Sequence, residues 1–322
     1  MRTRPIVLLL AALGSIPAAG CAPESDPRNT GAPVVVATLP PIADLAQAVG
    51  GEAVRVRTLL PPGAHPDSYE TTPRTAQTLA EAALVIRVGA AADAWLGTVD
   101  DVPELVLTEG MRLYGRHGTG EAGNAAAGAG AVVEATPEAL DAAHGTGNPH
   151  VWLDPIRVRD VLLPRIAEAL AEVVPEAAPG IRSRASAYAD SLTVLDAEIR
   201  ATLRDIDGRR FVAAHPAWVY FAERYGLQQV GAVHRSPGTE LGSRELARLV
   251  EETRTAGVRA VIAEPQLGRA GVDALADELG VPVVIADAVG GAGLEGREDY
   301  LSLMRFNARA FARALGGAEG RR

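Results

Sequence analysis

Three histidines and two carboxylates stand just beyond predicted strands or just before a predicted helix. Imidazole nitrogen together with carboxylate oxygen suits zinc, and also manganese or iron. In open α/β sheets, ligands bind in the crevice outside the carboxyl ends of the strands. The repeated placement therefore indicates one metal site that draws ligands from both halves of the chain. The residues are His65 and His150 in the first half, and His215, Glu264 and Asp287 in the second.

His150 lies in the stretch 148–155, Asn-Pro-His-Val-Trp-Leu-Asp-Pro. Asp154 and Pro155 predict a helix start, because an Asp side chain accepts from the first free backbone N–H groups and proline fits the first helical position. His150 is therefore expected in a loop that a proline and an aromatic neighbour hold stiffly. Such a loop suits a ligand-binding imidazole, although a single loop histidine is more often inert, so a site needs further ligands.

Each other candidate also has a structural explanation. His215 could cap its helix, and Glu264 and Asp287 could close helix N-termini. His65 could be a solvated loop residue. What favours a metal is that all of them occupy equivalent places beside predicted strands.

Short apolar runs alternate with helical stretches along the chain, which predicts βαβ units and parallel sheets. In the first half the predicted strands are 34–38, 54–60, 83–88 and 104–108, and the helices are 42–49, 73–83 and 154–174. In the second half the strands are 211–214, 229–233, 260–263 and 283–286, and the helices are 218–225, 243–256, 272–279 and 298–315. We predict an α/β fold with two lobes, each a mainly parallel sheet flanked by helices.

One long helix is predicted between the two lobes. Apolar residues spaced by threes and fours from Ile181 to Ile206 mark a single helical stripe. A helix over 180–206 would be roughly 40 Å long at 1.5 Å per residue. The predicted organisation is an N-terminal lobe at 34–179, a rigid linker helix at 180–206 and a C-terminal lobe at 207–322. Residues 115–147, rich in Gly and Ala, are predicted to be a mobile insertion, and its His117 and His144 to be solvated.

The N-terminus has the layout of an export signal. Arg2 and Arg4 precede a short apolar run, small residues and then Cys21, the only cysteine of the chain. Residues 1–21 resemble a lipoprotein signal peptide that ends at a lipobox cysteine, with Ala18 where Leu is usual; ordinary cleavage beside an incidental cysteine is the alternative. We expect lipidation of Cys21, a flexible tether at 22–33 and no internal disulfide. The protein would be exported and anchored to the cell membrane, extracytoplasmic or periplasmic.

Composition excludes some classes of partner. With 40 acidic and 31 basic residues the net charge is −9, which gives no reason to expect nucleic acid. Aromatic residues make up 4% of the chain, which disfavours the wide aromatic cleft that an organometallic ligand needs. We expect a monomer.

Four blocks resemble the zinc- or manganese-binding proteins of bacterial ABC importers. They are 61–64 (Pro-Pro-Gly-Ala) with Tyr69-Glu70, then 148–155, then His215 with 220–227, and 263–266 (Ala-Glu-Pro-Gln). The His-Val-Trp-Leu-Asp-Pro and Ala-Glu-Pro-Gln blocks are quite specific to that family, and the resemblance covers essentially the whole chain after the tether. It implies two α/β lobes bridged by one long helix, with one metal ion between them.

The resemblance also implies a ligand set. Three of the family's positions fall on His150, His215 and Asp287. The fourth is usually a histidine four residues after the glycine of the Pro-Gly turn, and here Asp67 stands there. His65 lies two residues after Gly63, so either His65 or Asp67 completes the set, and we favour His65.

The expected function is capture of Zn²⁺, with Mn²⁺ as the alternative, and its delivery to an ABC permease. Zinc members often have a His-rich insertion, whereas this one has two histidines, so the metal is left open. One rival is a zinc-dependent hydrolase with Glu264 as general base, but the chain has no His-Glu-x-x-His motif. Others are a binding protein for a metal chelate, and a cell adhesin, which is compatible with metal binding. We expect no enzymatic activity.

Overall fold

The computed structural model describes residues 31–114, 147–236, 239–240 and 242–316. The predicted signal peptide with Cys21, most of the tether and nearly all of the insertion at 115–147 lie outside the described residues, as do His117 and His144. The expectations about those segments stay predictions.

The first sheet is built from four short strands. They are β1 (Val34–Ala37), β2 (Arg55–Thr58), β3 (Ala82–Arg87) and β4 (Glu104–Val106), with helix α1 (Pro40–Gly50) after β1 and α2 (Pro73–Ala80) after β2. The strands are all parallel in the order β2-β1-β3-β4. The central strand β1 is buried along its whole length, as its run of valines predicts for a strand covered on both faces.

A helical stretch follows Asp154, as predicted, but it contains a π turn. It consists of α3 (Pro155–Arg157), the π turn Val158–Leu162 and α4 (Leu163–Val173). Asp154 caps it by accepting from the backbone N–H groups of Ile156 and Arg157. Pro164 accounts for the π turn, because it has no N–H with which to continue the α-helical ladder.

The long helix α5 (Ala178–Thr202) comes between the two sheets in the sequence. Its 25 residues correspond to about 37 Å. The buried residues Ile181, Leu192, Leu195 and Ile199 confirm the predicted stripe. The helix ends four residues before the predicted Ile206, which packs against the core from the following turn. Among the described residues no helix, α5 included, is both long and apolar enough to cross a bilayer.

The second sheet repeats the plan of the first. Its chain order is β5 (Arg210–Ala213), α6 (Val219–Tyr225), β6 (Gln228–Ala232), β7 (His234–Ser236), β8 (Thr239–Glu240), α7 (Ser243–Ala256), β9 (Ala260–Ala263), α8 (Ala270–Leu279), β10 (Val283–Ile285) and α9 (Tyr300–Leu315). The sheet order is β10-β9-β5-β6, all parallel, and β7 and β8 form a separate antiparallel pair. These two parallel sheets with flanking helices confirm the predicted α/β fold.

The largest hydrophobic cluster runs through both halves of the chain. It includes Val35 of the first sheet, Leu195 of α5 and Phe211 of the second sheet, all almost completely buried. The helix α5 packs against α1, α4 and α9. The two sheets therefore share one core. The predicted boundaries of the two lobes and of the linker helix between them stay predictions.

Candidate metal site

Three of the candidate residues lie side by side at the carboxyl edge of the second sheet. His215 follows β5 after one residue, Glu264 follows β9 directly, and Asp287 follows β10 after one residue. Because β10, β9 and β5 are consecutive in the sheet, these side chains share one edge. All three residues are buried, with 2% or less of their surface exposed.

The first half of the chain contributes two more buried imidazoles. His65 lies in the loop after β2, directly before the 3₁₀ turn Pro66–Ser68, and His150 caps the 3₁₀ turn Val151–Leu153. The Trp152 indole donates to the Ala288 carbonyl at 2.8 Å, which holds the His150 segment against the loop that contains Asp287. The side chain of Asp67, the alternative to His65, lies outside what the structure describes.

The three imidazoles converge around His215. Its ring centroid is 5.0 Å from that of His150 and 5.0 Å from that of His65. The Nε2 atoms of His150 and His215 are 3.2 Å apart. One ligand atom each of His65, His215 and Glu264 lies within 4.8 Å of the other two. The sequence named every one of these residues as a candidate, and the structure brings them together.

Asn148 sets the tautomer of His150. The Nδ2 of Asn148 donates to the Pro216 carbonyl at 2.5 Å. Because a carbonyl oxygen can only accept, this bond fixes the orientation of the amide, and Oδ1 of Asn148 faces His150. That Oδ1 accepts from the backbone N–H of His150 at 3.0 Å and lies 2.9 Å from its Nδ1. Nδ1 therefore carries the proton and Nε2 presents a lone pair.

Glu264 sets the tautomer of His215. Its Oε1 lies 2.5 Å from His215 Nδ1, which therefore donates to the carboxylate. The Nε2 of His215 is left with its lone pair directed at His150. The other oxygen, Oε2, is buried and has no hydrogen-bond partner among the described residues. A carboxylate that holds the Nδ1–H of a metal-binding histidine is a recurring feature of zinc sites.

Two imidazole lone pairs that face each other at this separation repel unless a proton or a metal cation lies between them. Two nitrogens bound to one tetrahedral Zn²⁺ at about 2.0 Å are roughly 3.3 Å apart. The observed separation of 3.2 Å between the Nε2 atoms of His150 and His215 matches that spacing. The donor set thus fits a divalent transition metal.

Burial keeps His65 neutral. The pKa of its imidazole is lowered from 6.5 to about 3, first by desolvation and then by the nearby His215 and His234. A neutral imidazole offers a lone pair to a metal without first losing a proton. At neutral pH His65 is therefore ready to bind.

Asp287 differs from the other candidates, because its carboxylate is surrounded by donors. Its Oδ1 accepts from Gln266 Nε2 and from the backbone N–H groups of Val289 and Gly290, and its Oδ2 accepts from Arg297. The structure does not include it in the cluster of His65, His215 and Glu264.

His234 was not identified from the sequence. It is 3% exposed, its Nε2 lies 3.3 Å from the Gly268 carbonyl, and its Nδ1 has no hydrogen-bond partner in the described part of the chain. It follows β6 after one residue, which is the same placement that singled out His215. That signal was available in the sequence.

Comparison with known proteins identifies the family. Residues 35–314 match the sequence model described as zinc-uptake complex component A, periplasmic (ZnuA). The manganese-binding lipoprotein MntA of Bacillus subtilis is 28% identical over 310 residues, which cover 92% of this chain and 94% of MntA. The zinc-binding lipoprotein AdcA of Streptococcus pneumoniae is 25% identical over 95% of this chain. The matched region spans 60% of the length of AdcA.

Solved structures agree on the fold. A zinc-bound deletion mutant of ZnuA superposes with a TM-score of 0.72 over 89% of this chain and 99% of that chain. The two sequences are 24% identical, so this likeness establishes the architecture alone.

Proposed function

Because this chain belongs to the zinc-uptake complex component A family, we propose that it captures a divalent transition metal, Zn²⁺ or alternatively Mn²⁺, and delivers it to an ABC permease. The related proteins AdcA and MntA are named for zinc and manganese binding, respectively. Those names describe binding proteins, which supports capture and release over catalysis. Capture takes place outside the cytoplasmic membrane, where a lipid on Cys21 anchors the protein.

The proposed ligands are His65, His150 and His215, with a carboxylate completing the site. The single observation that carries the proposal is the 3.2 Å approach of the two Nε2 atoms, whose Nδ1 atoms are already held by acceptors. The proposed carboxylate is Asp287, which the family resemblance implies, whereas Glu264 supports His215 through Nδ1.

Release relies on small movements of loops and lobes. The helix α5 packs against α1 and α4 from the first half of the chain and α9 from the second, so a wide hinge motion would break a large apolar contact. His65 and His150 both lie in loop backbone directly before a 3₁₀ turn, outside the regular helices and strands. Their displacement would open the site at lower cost than separation of the two sheets.

Zinc titration of chelator-treated protein by calorimetry tests the proposal. The wild type is expected to bind one equivalent tightly. His150→Ala removes a nitrogen that the geometry directs at the metal and is expected to lose most of the affinity. His144→Ala, in the insertion, is the matched control and should bind as the wild type does. Undiminished binding by His150→Ala would contradict the proposal.

Two substitutions of Asn148 test whether the orientation of His150 contributes to zinc affinity. Asn148→Ala leaves the His150 ring in place but removes the acceptor that fixes its tautomer, so zinc affinity should fall about 10- to 100-fold. Asn148→Asp retains an acceptor for His150 Nδ1 and should lose less. Equal affinity in all three proteins would show that Asn148 does not orient a ligand.

A further inference from the structure

We propose that Tyr220 is a positioning residue for metal binding. Its hydroxyl fixes Asn148, and Asn148 in turn orients the His150 imidazole, so that this one hydrogen bond slows release of the metal. The role rests on the proposed metal-binding function and adds to it a residue that does not touch the ion. Tyr220 belongs to the second half of the chain, whereas the ligand that it orients belongs to the first.

The hydroxyl of Tyr220 both donates and accepts a hydrogen bond. Tyr220 lies in the first turn of α6 and is fully buried. Its hydroxyl donates to the Asn148 carbonyl at 2.8 Å and accepts from the Tyr114 backbone N–H at 3.1 Å. Burial raises the pKa of Tyr220 to about 12, so at neutral pH the hydroxyl keeps the proton with which it holds Asn148.

Asn148 is a buried residue whose polar groups all have partners. Its backbone N–H donates to the Tyr114 carbonyl at 2.6 Å, and its side-chain Nδ2 donates to the Pro216 carbonyl at 2.5 Å. Its carbonyl accepts from Tyr220, and its Oδ1 accepts from the backbone N–H and the Nδ1 of His150. A shift of the Asn148 backbone would therefore also move the Oδ1 that holds the His150 ring.

The ring of Tyr220 contacts the other end of the same segment. The guanidinium carbon of Arg157 lies 4.9 Å from the centre of the Tyr220 ring, which is a cation–π contact. The Nε of Arg157 also lies 3.4 Å from Oδ2 of Asp154, the residue that caps α3. Since His150 comes between the two contacts in the sequence, one side chain from the second half restrains the segment 148–157 at both ends.

Tyr220 belongs to the same connection of the second sheet as His215. His215 follows β5 after one residue, and the connection then enters α6, where Tyr220 lies in the first turn. Pro216, whose carbonyl accepts from Asn148, lies between them. A shift of this connection would therefore move His215 together with the anchors of the His150 segment. Such an arrangement preserves the 3.2 Å separation of the two Nε2 atoms.

The bond from Tyr220 to Asn148 should affect release of the metal more than its capture. Displacement of the His150 loop, which we propose for release, requires this bond to break or to lengthen. Loss of the hydroxyl leaves the ligands and the charge of the site unchanged, so the encounter with a cation should occur at the same rate. Among variants of one binding site, differences in affinity lie mostly in the dissociation rate.

The experiment compares the wild type with Tyr220→Phe, which retains the ring and its contact with Arg157 and loses the hydroxyl alone. Calorimetry gives the affinity for Zn²⁺, and stopped-flow transfer to a chelator gives the rate of release. Tyr220→Phe should bind about tenfold more weakly and release the metal about tenfold faster, with association changed by less than about twofold. Tyr188→Phe, the matched control, removes a tyrosine hydroxyl that bonds to Asp44 and should retain the wild-type affinity and rates.

A double-variant cycle tests whether the effect passes through Asn148. In Asn148→Ala the His150 ring has already lost its acceptor, so adding Tyr220→Phe should lower zinc affinity by less than about twofold. Thermal unfolding of the metal-free proteins shows that each variant is folded. An equal loss in both backgrounds would overturn the proposed role of Tyr220. Wild-type affinity and release in a folded Tyr220→Phe, or slower association as its only change, would do the same.

Hydrogen exchange of the wild type tests the link without any substitution. The Tyr114 N–H donates to the Tyr220 hydroxyl and is remote in the sequence from every proposed ligand, so Zn²⁺ should slow its exchange. Slowed exchange at His150 beside unchanged exchange at Tyr114 would contradict the role of Tyr220 and leave the proposed function intact. Full zinc binding by His150→Ala would instead overturn the proposed function itself.

Discussion

At the scale of single residues, the site depends on partners that fix which nitrogen of His150 and of His215 carries the proton. Asn148 holds His150 and Glu264 holds His215, each through Nδ1. His65 is kept neutral mainly by burial. The site is therefore arranged for a cation before one binds, which reduces the cost of reorganisation on capture.

The lowered pKa of His65 predicts how the stability of the metal-free protein depends on pH. The folded pKa of about 3 lies below the unfolded value of 6.5, so between these values the unfolded chain binds a proton that the folded protein does not. The free energy of unfolding should therefore fall as the pH drops below 6.5 and level off near 3. For one proton the slope is about 1.4 kcal/mol per pH unit.

Urea unfolding of chelator-treated protein from about pH 7.5 to about pH 4.5 measures that slope. Comparison with His65→Gln isolates the contribution of this residue, because other groups titrate equally in both proteins. The variant should show the smaller dependence on pH, and His144→Gln should match the wild type. An unchanged slope in His65→Gln would mean that His65 takes up its proton at the same pH in the folded and the unfolded protein.

The sequence was sufficient to name the candidate ligands, but not the ion pair that one of them forms. His65, His150, His215 and Glu264 could be named because each adjoins a strand or a helix start. The ion pair of Asp287 with Arg297 could not, because it joins residues ten positions apart through a glycine-rich turn with no periodic pattern. Such a turn is determined by tertiary packing.

At the scale of elements, strands that cross the core were the easiest to predict. The continuous apolar run at β9 and the amphipathic pattern of α7 coincide with the observed bounds. The antiparallel pair of β7 and β8 was missed, because its strands are two or three residues long and polar. The π turn before α4 was missed for a different reason. Proline signals a broken ladder but does not tell whether the helix stops or continues with an extra residue.

The start of α3 predicts a stability effect at Asp154. This carboxylate is 1% exposed, accepts from two backbone N–H groups, and pairs with Arg224 at 2.8 and 2.9 Å. Asp154→Ala removes the cap and leaves the guanidinium without its partner, so the free energy of unfolding should fall by about 3 kcal/mol. Urea denaturation of the metal-free protein measures the loss.

Asp160, in the π turn, provides the matched control. It pairs with Arg159, but its side chain is 52% exposed. Removal of an exposed ion pair costs less than about 1 kcal/mol, so Asp160→Ala should be close to the wild type. Equal losses in the two variants would show that burial does not distinguish them.

At the scale of the whole molecule, the site lies where several segments of both halves meet. Tyr300, at the start of α9, donates from its hydroxyl to the Trp152 carbonyl at 2.7 Å, and its backbone N–H donates to Asp44 of α1 at 3.0 Å. Trp152 in turn donates to Ala288. The segment that contains His150 is thus hydrogen-bonded to the loop after β10 and to α9, and Trp152 belongs to the hydrophobic core that both halves share. Metal binding at the site and the unfolding of both sheets should therefore be coupled.

That coupling predicts a single unfolding transition that metal moves as a whole. Because Trp95 lies beside the first sheet and Trp218 beside the second, tryptophan fluorescence and far-UV circular dichroism should give coincident denaturation curves for the metal-free protein. Free Zn²⁺ at about 1,000 times its dissociation constant should stabilise the folded state by about 4 kcal/mol and shift both curves equally, and chelator should reverse the shift. His150→Ala should unfold in one transition that zinc does not move. Two transitions, of which zinc shifts only one, would mean that the sheets fold independently and that the ligands belong to one of them alone.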